Sequence, residues 1–306
     1  MNSFFEELKY AFKRPNNGLY RILLINIAIY LVLAIFSVIA YLAGSDVFWS
    51  VMQWISVPSE FEELIRKPWT LFTYMFVHED FFHILFNMLF LYWFGQLVIE
   101  YLGSKRFVNT YVLGGLAGAV FFLIFYNILP PFQGRTGFLY GASAGVSAIV
   151  LAAATLAPNH SFFLLFLGPV KIKYIALIFI VLKSFLGLKG GNAGGELAHL
   201  GGAAIGYLYI MQLKNGRDFG AWISNSFSWI AGLFDRKPHI KVSHRREKAY
   251  TASRTTHKAQ QQQQPKSFGK ATQEEIDAIL DKISAHGYES LSKEEKQKLF
   301  NASKKN

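Results

Sequence analysis

At 306 residues, with 52% hydrophobic side chains and a mean hydropathy of +0.24, the chain is too apolar for an ordinary soluble domain. It contains no cysteine, which excludes a disulfide, a thiol nucleophile and a thiolate zinc site. The net charge of +11 is concentrated, with ten Lys/Arg against Glu247 alone between Arg236 and Lys270. Such a patch could bind nucleic acid, but just after a membrane span it reads as a cytoplasmic retention signal that attracts anionic lipid.

In chain order, Met1 to Asn17 carries Phe4, Phe5, Leu8 and Phe12 at near-helical spacing, the pattern of a surface-lying amphipathic stretch. Six runs then suffice to cross about 30 Å of hydrocarbon at about 1.5 Å per residue. They lie at Tyr20 to Ala43, Phe81 to Leu102, Phe107 to Leu129, Leu139 to Ala157, Tyr174 to Leu188 and Glu196 to Leu213. The first is too long for a signal-peptide core and reads as a retained anchor. Lys9, Lys13 and Arg14 precede the first run and Arg21 stands at its start, Lys105 and Arg106 join the second to the third, and Lys171 and Lys173 precede the fifth. With the basic tail, these groups belong on the cytoplasmic side. The acidic 44 to 80 loop then faces outward, and the second, fourth and sixth runs begin at the outer face.

That direction brings sequence-distant polar residues to one depth. His83 lies near the start of the second run, Ser143 near the start of the fourth and His199 near the start of the sixth, each expected about one turn, on the order of 5 Å, below the outer end of its helix. Gly145, Ala148 and Ala152 follow Ser143, and Gly195, Gly202 and Gly206 flank His199. These small-residue faces allow the close backbone approach that a serine-to-imidazole hydrogen bond needs.

Ionisable groups inside a bilayer are costly and by default functional. Serine is a weak nucleophile until a base takes its proton, and neutral imidazole suits that task. Ser143 is therefore the expected nucleophile and His199 the general base, then acid. Backbone N–H groups near Ser143, with Asn87 and His83 one turn apart on one face, are the expected oxyanion donors. Glu196, three residues before His199, is the lone carboxylate in the outer halves of these runs, and a dyad is expected rather than a triad. Ser147 is a rival nucleophile, more simply read as a hydroxyl bonded to its own helix. His78-Glu79 followed by His83 resembles a zincin motif, but the five-residue spacing puts the two rings about 140° apart on a helix. No metal and no cofactor are expected.

Pro68-Trp69-Thr70-Leu71-Phe72-Thr73-Tyr74-Met75-Phe76-Val77-His78, then His83 and Asn87-Met88, followed by Gly141-Ala142-Ser143 and Ala198-His199-Leu200-Gly201-Gly202 with Gly206, resembles the rhomboid family of intramembrane serine proteases. The resemblance covers Pro68 to Gly206 in the family's order. It implies a six-helix core whose Ser143–His199 dyad opens to water from the outer side and cuts single-pass substrates within or near their transmembrane segments. It gives Asn87 and His83 as oxyanion donors and His78 as a structural residue. Two positions depart from the family: Ala144 where many members have glycine, and Trp54-Ile55 in the first outer loop with no Trp-Arg pair.

After the core, Phe219 to Phe234 is apolar but short for a span, and reads as an interfacial helix. Gln260 to Gln264 before Pro265 marks a flexible linker. Thr272-Gln273-Glu274-Glu275 and Ser292-Lys293-Glu294-Glu295 are capping-box patterns, the first leading Ile276, Ile279, Leu280 and Ile283 on one face. The expected protein is thus all-α and polytopic: an N-terminal segment 1–18, a six-helix rhomboid-like membrane domain 19–214, an interfacial segment 215–235, a basic linker 236–270 and a soluble, small helical tail 271–306. Its expected place is a cell membrane, plasma or inner, with both termini cytoplasmic. Its expected partners are single-pass transmembrane substrates and membrane lipid, with no nucleic acid; the sequence names none for the tail. Two other readings fit parts of the pattern: a catalytically silent relative that binds transmembrane helices, and a transporter using His83 and His199 as a proton relay.

Overall fold

The computed structural model of the chain describes residues 17–132, 134–164, 167–182, 193–234 and 273–303. The amphipathic stretch at 1–16 and the basic, glutamine-rich linker lie outside them. The described residues fall into two compact units, one within Met1–His239 and one within Ile240–Asn306.

Helix α1 (Gly18–Leu42) has 25 residues and so a length of about 37 Å, enough to cross a bilayer. Leu31, Val32, Ile35, Val38 and Ile39 are each more than half exposed, an apolar surface that water does not tolerate and lipid does. The chain is a membrane protein on this ground. After α1 come three short helices, α2 (Val47–Ile55), α3 (Phe61–Arg66) and α4 (Thr70–Thr73), the last continued by a 3-10 turn at Tyr74–Phe76. They form a braced loop. Trp54 and Trp69 stack at 5.7 Å, the Lys67 ammonium lies 5.1 Å from the centre of the Trp54 ring, and the Trp69 indole donates to the Trp54 carbonyl (2.9 Å). The Thr73 hydroxyl donates to Ile55 O at 2.9 Å. These contacts hold the 44–80 loop, which has no Trp-Arg pair.

Helix α5 (Phe81–Ile128) is a second segment long and apolar enough to cross a membrane, and it is broken at Gly103. With φ at 78°, Gly103 occupies a left-handed conformation that a side chain disfavours. Two arms result: 81–102, the bounds expected for the second run, and 104–128, which starts three residues before the third run expected from Phe107 and ends one residue short of it. A Cβ placed on Gly95 would stand 2.9 Å from the Phe107 ring. Twelve residues of straight helix would hold those positions about 18 Å apart, so the second arm folds back on the first.

Helix α6 (Ser143–Leu156) is nearly enclosed, with Ala144 to Val150 and Ala152 to Ala154 all buried. It begins four residues later than the run expected from Leu139 and, at 14 residues, is about 21 Å long. Leu139 instead belongs to a strand. Strands β1 (Val57–Pro58) and β2 (Phe138–Leu139) pair antiparallel, Val57 opposite Leu139. Ser59 extends the ribbon, its N–H donating to Gly137 O and its hydroxyl accepting from the Gly137 N–H. Strands β3 (Ser161–Leu164) and β4 (Gly168–Lys171) make a second ribbon that tucks Phe162 against Phe94 at 5.2 Å. The all-α expectation is corrected by these two ribbons, both too short to unsettle the helical character of the fold.

Helix α7 (Ile172–Val181) covers the first half of the expected fifth run, and from residue 183 on that run lies outside the described residues. Helix α8 (Ala193–Lys214) includes the expected sixth run. It lies against α6 with no side chain between them at two points: a Cβ on Gly202 would be 2.0 Å from Ala144 O, and one on Gly206 would be 2.3 Å from Ala148 O. Gly114 and Gly118 of the second α5 arm also face α6, where a Cβ on each would stand 2.4 Å from the side-chain carbon of Ala148 and of Ala144 respectively. The small-residue faces read from the sequence are therefore the α5–α6–α8 contact, where backbones approach closely enough for dispersion and weak Cα–H bonds to hold helices together in lipid.

Helix α9 (Ala221–Phe234) buries Ile223, sets Phe227 6.2 Å from Phe72 and exposes Trp222, Trp229 and Leu233. In the second unit, helices α10 (Gln273–His286) and α11 (Lys293–Ser303) form a hairpin around buried Ile279 and Leu291. Ion pairs Lys282–Glu295 (2.9 Å) and Lys298–Glu275 (2.8 Å) cross it. The capping box at Ser292 is reciprocal: the Ser292 N–H donates to Glu295 Oε2 (2.7 Å) and the Glu295 N–H to the Ser292 hydroxyl (3.3 Å). Of the first capping pattern, Thr272 lies outside the described residues.

Candidate active site

The turn into α6 is made by Gly141, whose φ of 122° lies in a region a side chain rarely adopts. Three bonds hold the 74–78 segment behind it. The Gly141 N–H donates to Tyr74 O (2.9 Å), the Tyr74 hydroxyl donates to Gly115 O (2.6 Å) and the Tyr111 hydroxyl to Met75 O (2.8 Å). The segment from Tyr74 to His78 is thus pinned on both sides, to the second α5 arm and to the turn that presents Ser143.

Ser143 is the first residue of α6, not one turn inside it as expected. Its side chain therefore stands beside N–H groups that have no partner in the preceding turn, at the positive end of the helix. Ser147 is buried and donates its hydroxyl to Ser143 O at 2.8 Å, the backbone bond expected of it.

His83 is the third residue of α5, whose first turn is capped by Asp80 accepting from the His83 N–H (2.8 Å). Its ring lies 2.9 Å from the point where a Cβ on Gly141 would stand, and the Ser143 hydroxyl lies 3.6 Å from that same point. Asn87, one turn further along α5, is buried at 7% exposure. His199 of α8 is buried at 4%, with its Nδ1 3.0 Å from Glu196 Oε2. The structure brings His83, Asn87, Ser143 and His199 to the wall of one cavity of about 860 Å³. Among the described residues no hydrogen bond joins the Ser143 hydroxyl to the His199 ring.

The rest of that wall is apolar, with Phe86 and Phe90 from α5 facing Ile178 and Phe179 from α7. Phe90 and Phe179 lie 4.9 Å apart. Since Phe86 and Ile178 are also exposed on the outside of the molecule, the cavity reaches the molecular surface between these two helices. A second cavity of about 610 Å³ shares Asp80, His83 and Tyr140 with the first and is lined by Glu79, Arg135 and Gln53. Its polar wall suits water, so the site has one apolar and one polar approach. Tyr140, between the two, donates its hydroxyl to Glu79. Among the described residues no cluster of three or more His, Asp or Glu has the arrangement of a metal site.

His78 buttresses the site from behind. It is 1% exposed, its Nε2 accepts from the Ala142 N–H at 3.4 Å and its ring meets His83 edge-on at 5.0 Å. Burial, with the neighbouring His83 adding, lowers its pKa to about 3. As pH falls through about 6.5 the unfolded chain takes up this proton first, so stability is full above that value and is lost towards pH 3. Acidification from pH 7 to 5 is expected to remove about 2 kcal/mol from this group alone, at about 1.4 kcal/mol per pH unit. Thermal unfolding at both pH values checks this, and His78→Gln should flatten the dependence.

The sequence reading passed over Tyr74, Tyr111 and Tyr140, whose partners lie 36 to 61 residues away. It noted Glu196 and set it aside, although the three-residue spacing on a helix is the signal for its contact with His199.

Comparison with known proteins covers the stretch of chain that builds this site. The model of the rhomboid domain matches residues 66–215, and that of a family of unknown function (DUF6576) matches 269–305. The chain is 36% identical over 160 residues to RHOMBOID-like protein 12, mitochondrial, of Arabidopsis thaliana, covering 48% of this chain and 47% of that protein. It is 32% identical over 142 residues to Rhomboid protein 1, mitochondrial, of Saccharomyces cerevisiae (44% and 38%), and 27% identical over 187 residues to Rhomboid-like protein 16, chloroplastic, of Arabidopsis thaliana (57% of each). The chain thus spans about half the length of the curated relatives it matches. Every residue drawn to the cavity wall by α5, α6 and α8 lies inside the matched domain, and through that domain the chain belongs to the rhomboid family.

Proposed function

We propose that the chain is an intramembrane serine endopeptidase that hydrolyses peptide bonds within or near transmembrane segments. The observation that carries this reading is the convergence of Ser143, His199, His83 and Asn87, from three helices, on one cavity wall. Ser143 Oγ attacks the scissile carbonyl while its proton passes to the His199 ring. The tetrahedral oxyanion is held by N–H groups at the start of α6, with His83 and Asn87 as side-chain donors. His199 then gives the proton to the leaving amine, and water from the polar cavity hydrolyses the acyl-enzyme with His199 again as base. The reaction needs no cofactor.

The proposed architecture has six spans: α1, the two arms of α5, α6 with its flanking turns, the run beginning with α7, and α8. The cationic groups Lys105–Arg106 and Lys171–Lys173 lie on the ends away from the site, which by charge bias are cytoplasmic. Both termini then lie in the cytoplasm, the polar cavity opens to the outer side of a cell membrane, and α9 lies near the inner interface. Substrates are single-pass membrane proteins entering from lipid by the apolar approach. One observation favours a second reading, a catalytically silent relative that binds transmembrane helices: Ser143 and His199 are not hydrogen-bonded to each other.

A helical peptide bond hides its carbonyl in an intrahelical hydrogen bond, so cleavage requires local unwinding, which small or helix-breaking residues make cheaper. Purified protein in lipid vesicles should cut a tagged single-pass substrate whose outer end carries Gly or Pro at least about tenfold faster than one with an uninterrupted poly-leucine segment. Equal rates would refute the unwinding step, and no cleavage of either would favour the silent reading.

A further inference from the structure

We propose that Glu196 is a positioning residue for His199, fixing the orientation and tautomer of the base in the Ser143–His199 dyad. This rests on the serine-protease reading of the same site. Glu196 stands in the first turn of α8 and His199 one turn on, so their side chains leave the same face of the helix. Glu196 Oε2 lies 3.0 Å from His199 Nδ1, with the two side chains only 14% and 6% exposed. Among the described residues no other side chain bonds either group. The remaining carboxylate on the cavity wall, Asp80, is committed to the first turn of α5 through its bond from the His83 N–H.

A carboxylate can only accept, so the neutral imidazole that satisfies this contact carries its proton on Nδ1. Nε2 then holds the free lone pair, and the ring plane that points Nδ1 at Glu196 points Nε2 away from it, into the cavity that Ser143 lines. Without the contact the ring is free to rotate and to exchange tautomers, and only a fraction of its states presents a base to the serine. When the Ser143 hydroxyl proton moves to Nε2, the ring gains a positive charge that the Glu196 carboxylate faces at 3.0 Å. The proton leaves Nε2 for the amine product, and Glu196 stays unprotonated throughout, as the acidic partner does in soluble triads. Glu196 touches neither substrate nor reacting atoms; it acts through His199.

The other ionisable groups facing this region are His83 and Asp80 on the α5 side, Tyr140 ahead of α6, and Tyr74, whose hydroxyl lies beside the Gly118–Ala198 contact. The hydrogen bond that holds the His199 ring among the described residues is the one to Glu196, and the ring's orientation follows it.

The test uses the full chain in lipid vesicles with a single-pass substrate, comparing wild type with Glu196→Ala, Glu196→Gln and Ser143→Ala. Glu196→Ala should lower kcat about 10- to 100-fold with KM within about twofold. Glu196→Gln, whose amide oxygen can accept the same proton but whose amide group can also turn to donate, should fall between. Nitrogen-15 NMR of the His199 ring should show the Nδ1–H tautomer in wild type and a mixture in Glu196→Ala, a change that loss of packing alone would not produce. Wild-type kcat in Glu196→Ala, with Ser143→Ala inactive, overturns the inference and leaves the protease reading intact. An unchanged tautomer in Glu196→Ala also overturns it, whatever the rate. Cleavage that survives Ser143→Ala, or is absent from wild type, defeats the protease reading, and the tautomer signal then still decides whether Glu196 sets the ring.

Discussion

Ser143→Ala should abolish cleavage, by about 10⁴-fold or more, without unfolding the protein, and His199→Ala should match it. The size follows from how nucleophile and base work: each is useless without the other, so removing either forfeits the covalent route entirely. The selectivity follows from position. The Ser143 side chain caps no helix and makes no hydrogen bond among the described residues, and it is its backbone carbonyl that receives the Ser147 hydroxyl. Its loss should therefore alter unfolding by no more than about 0.5 kcal/mol. Ser147→Ala supplies the contrast, since that hydroxyl is buried and spent on the helix backbone, and cleavage should survive it. Initial rates in vesicles beside thermal unfolding in detergent check all three. Residual activity in Ser143→Ala within about tenfold of wild type would mean that some other group attacks the carbonyl.

How much of this site could be read from the chain depends on which interactions are periodic. The two arms of α5 were legible because Lys105 and Arg106 interrupt an apolar run, and Gly103 breaks the helix where that interruption begins. The glycine and alanine faces of α6 and α8 were legible because helix geometry repeats them every three or four residues. By contrast, the pairing of Val57 with Leu139 joins residues eighty-two apart in strands of two residues each, which leave no alternation to detect. The 161–171 ribbon was hidden for another reason: Phe162, Phe163 and Leu164 run together as one apolar stretch, so the two faces of the strand have the same character. The exact start of α6 was missed because Gly141 makes its turn after Leu139 and Tyr140, which look like helix on hydropathy alone. The approach of Glu196 to His199 was written in the spacing, but the choice of rotamer that completes it is made by the packing around the first turn of α8.

The second large effect belongs to a residue that touches no substrate. Gly202→Ala would put a methyl group 2.0 Å from Ala144 O and 2.8 Å from the Ala144 carbonyl carbon. These are backbone atoms, so no side-chain rotation relieves the overlap, and α6 and α8 must part by about 1.4 Å to restore ordinary contact at 3.4 Å. Overpacking of this kind costs roughly 1–3 kcal/mol. The functional cost should be larger in proportion, because Ala144 is the neighbour of Ser143 and Gly202 lies one turn from His199. A displacement of about 1 Å between nucleophile and base is enough to cost about 100-fold in rate. Gly206→Ala, a turn deeper and 2.3 Å from Ala148 O, separates the two outcomes: it should destabilise to a similar degree while costing distinctly less activity. Gly232→Ala in α9, with no atom within 4 Å of the new methyl group, should leave activity unchanged and add up to about 1 kcal/mol of helix stability. Ranking kcat and unfolding midpoint across the three substitutions tests whether the bare α6–α8 contact sets the distance between Ser143 and His199; a Gly202→Ala protein as active as wild type would show that it does not.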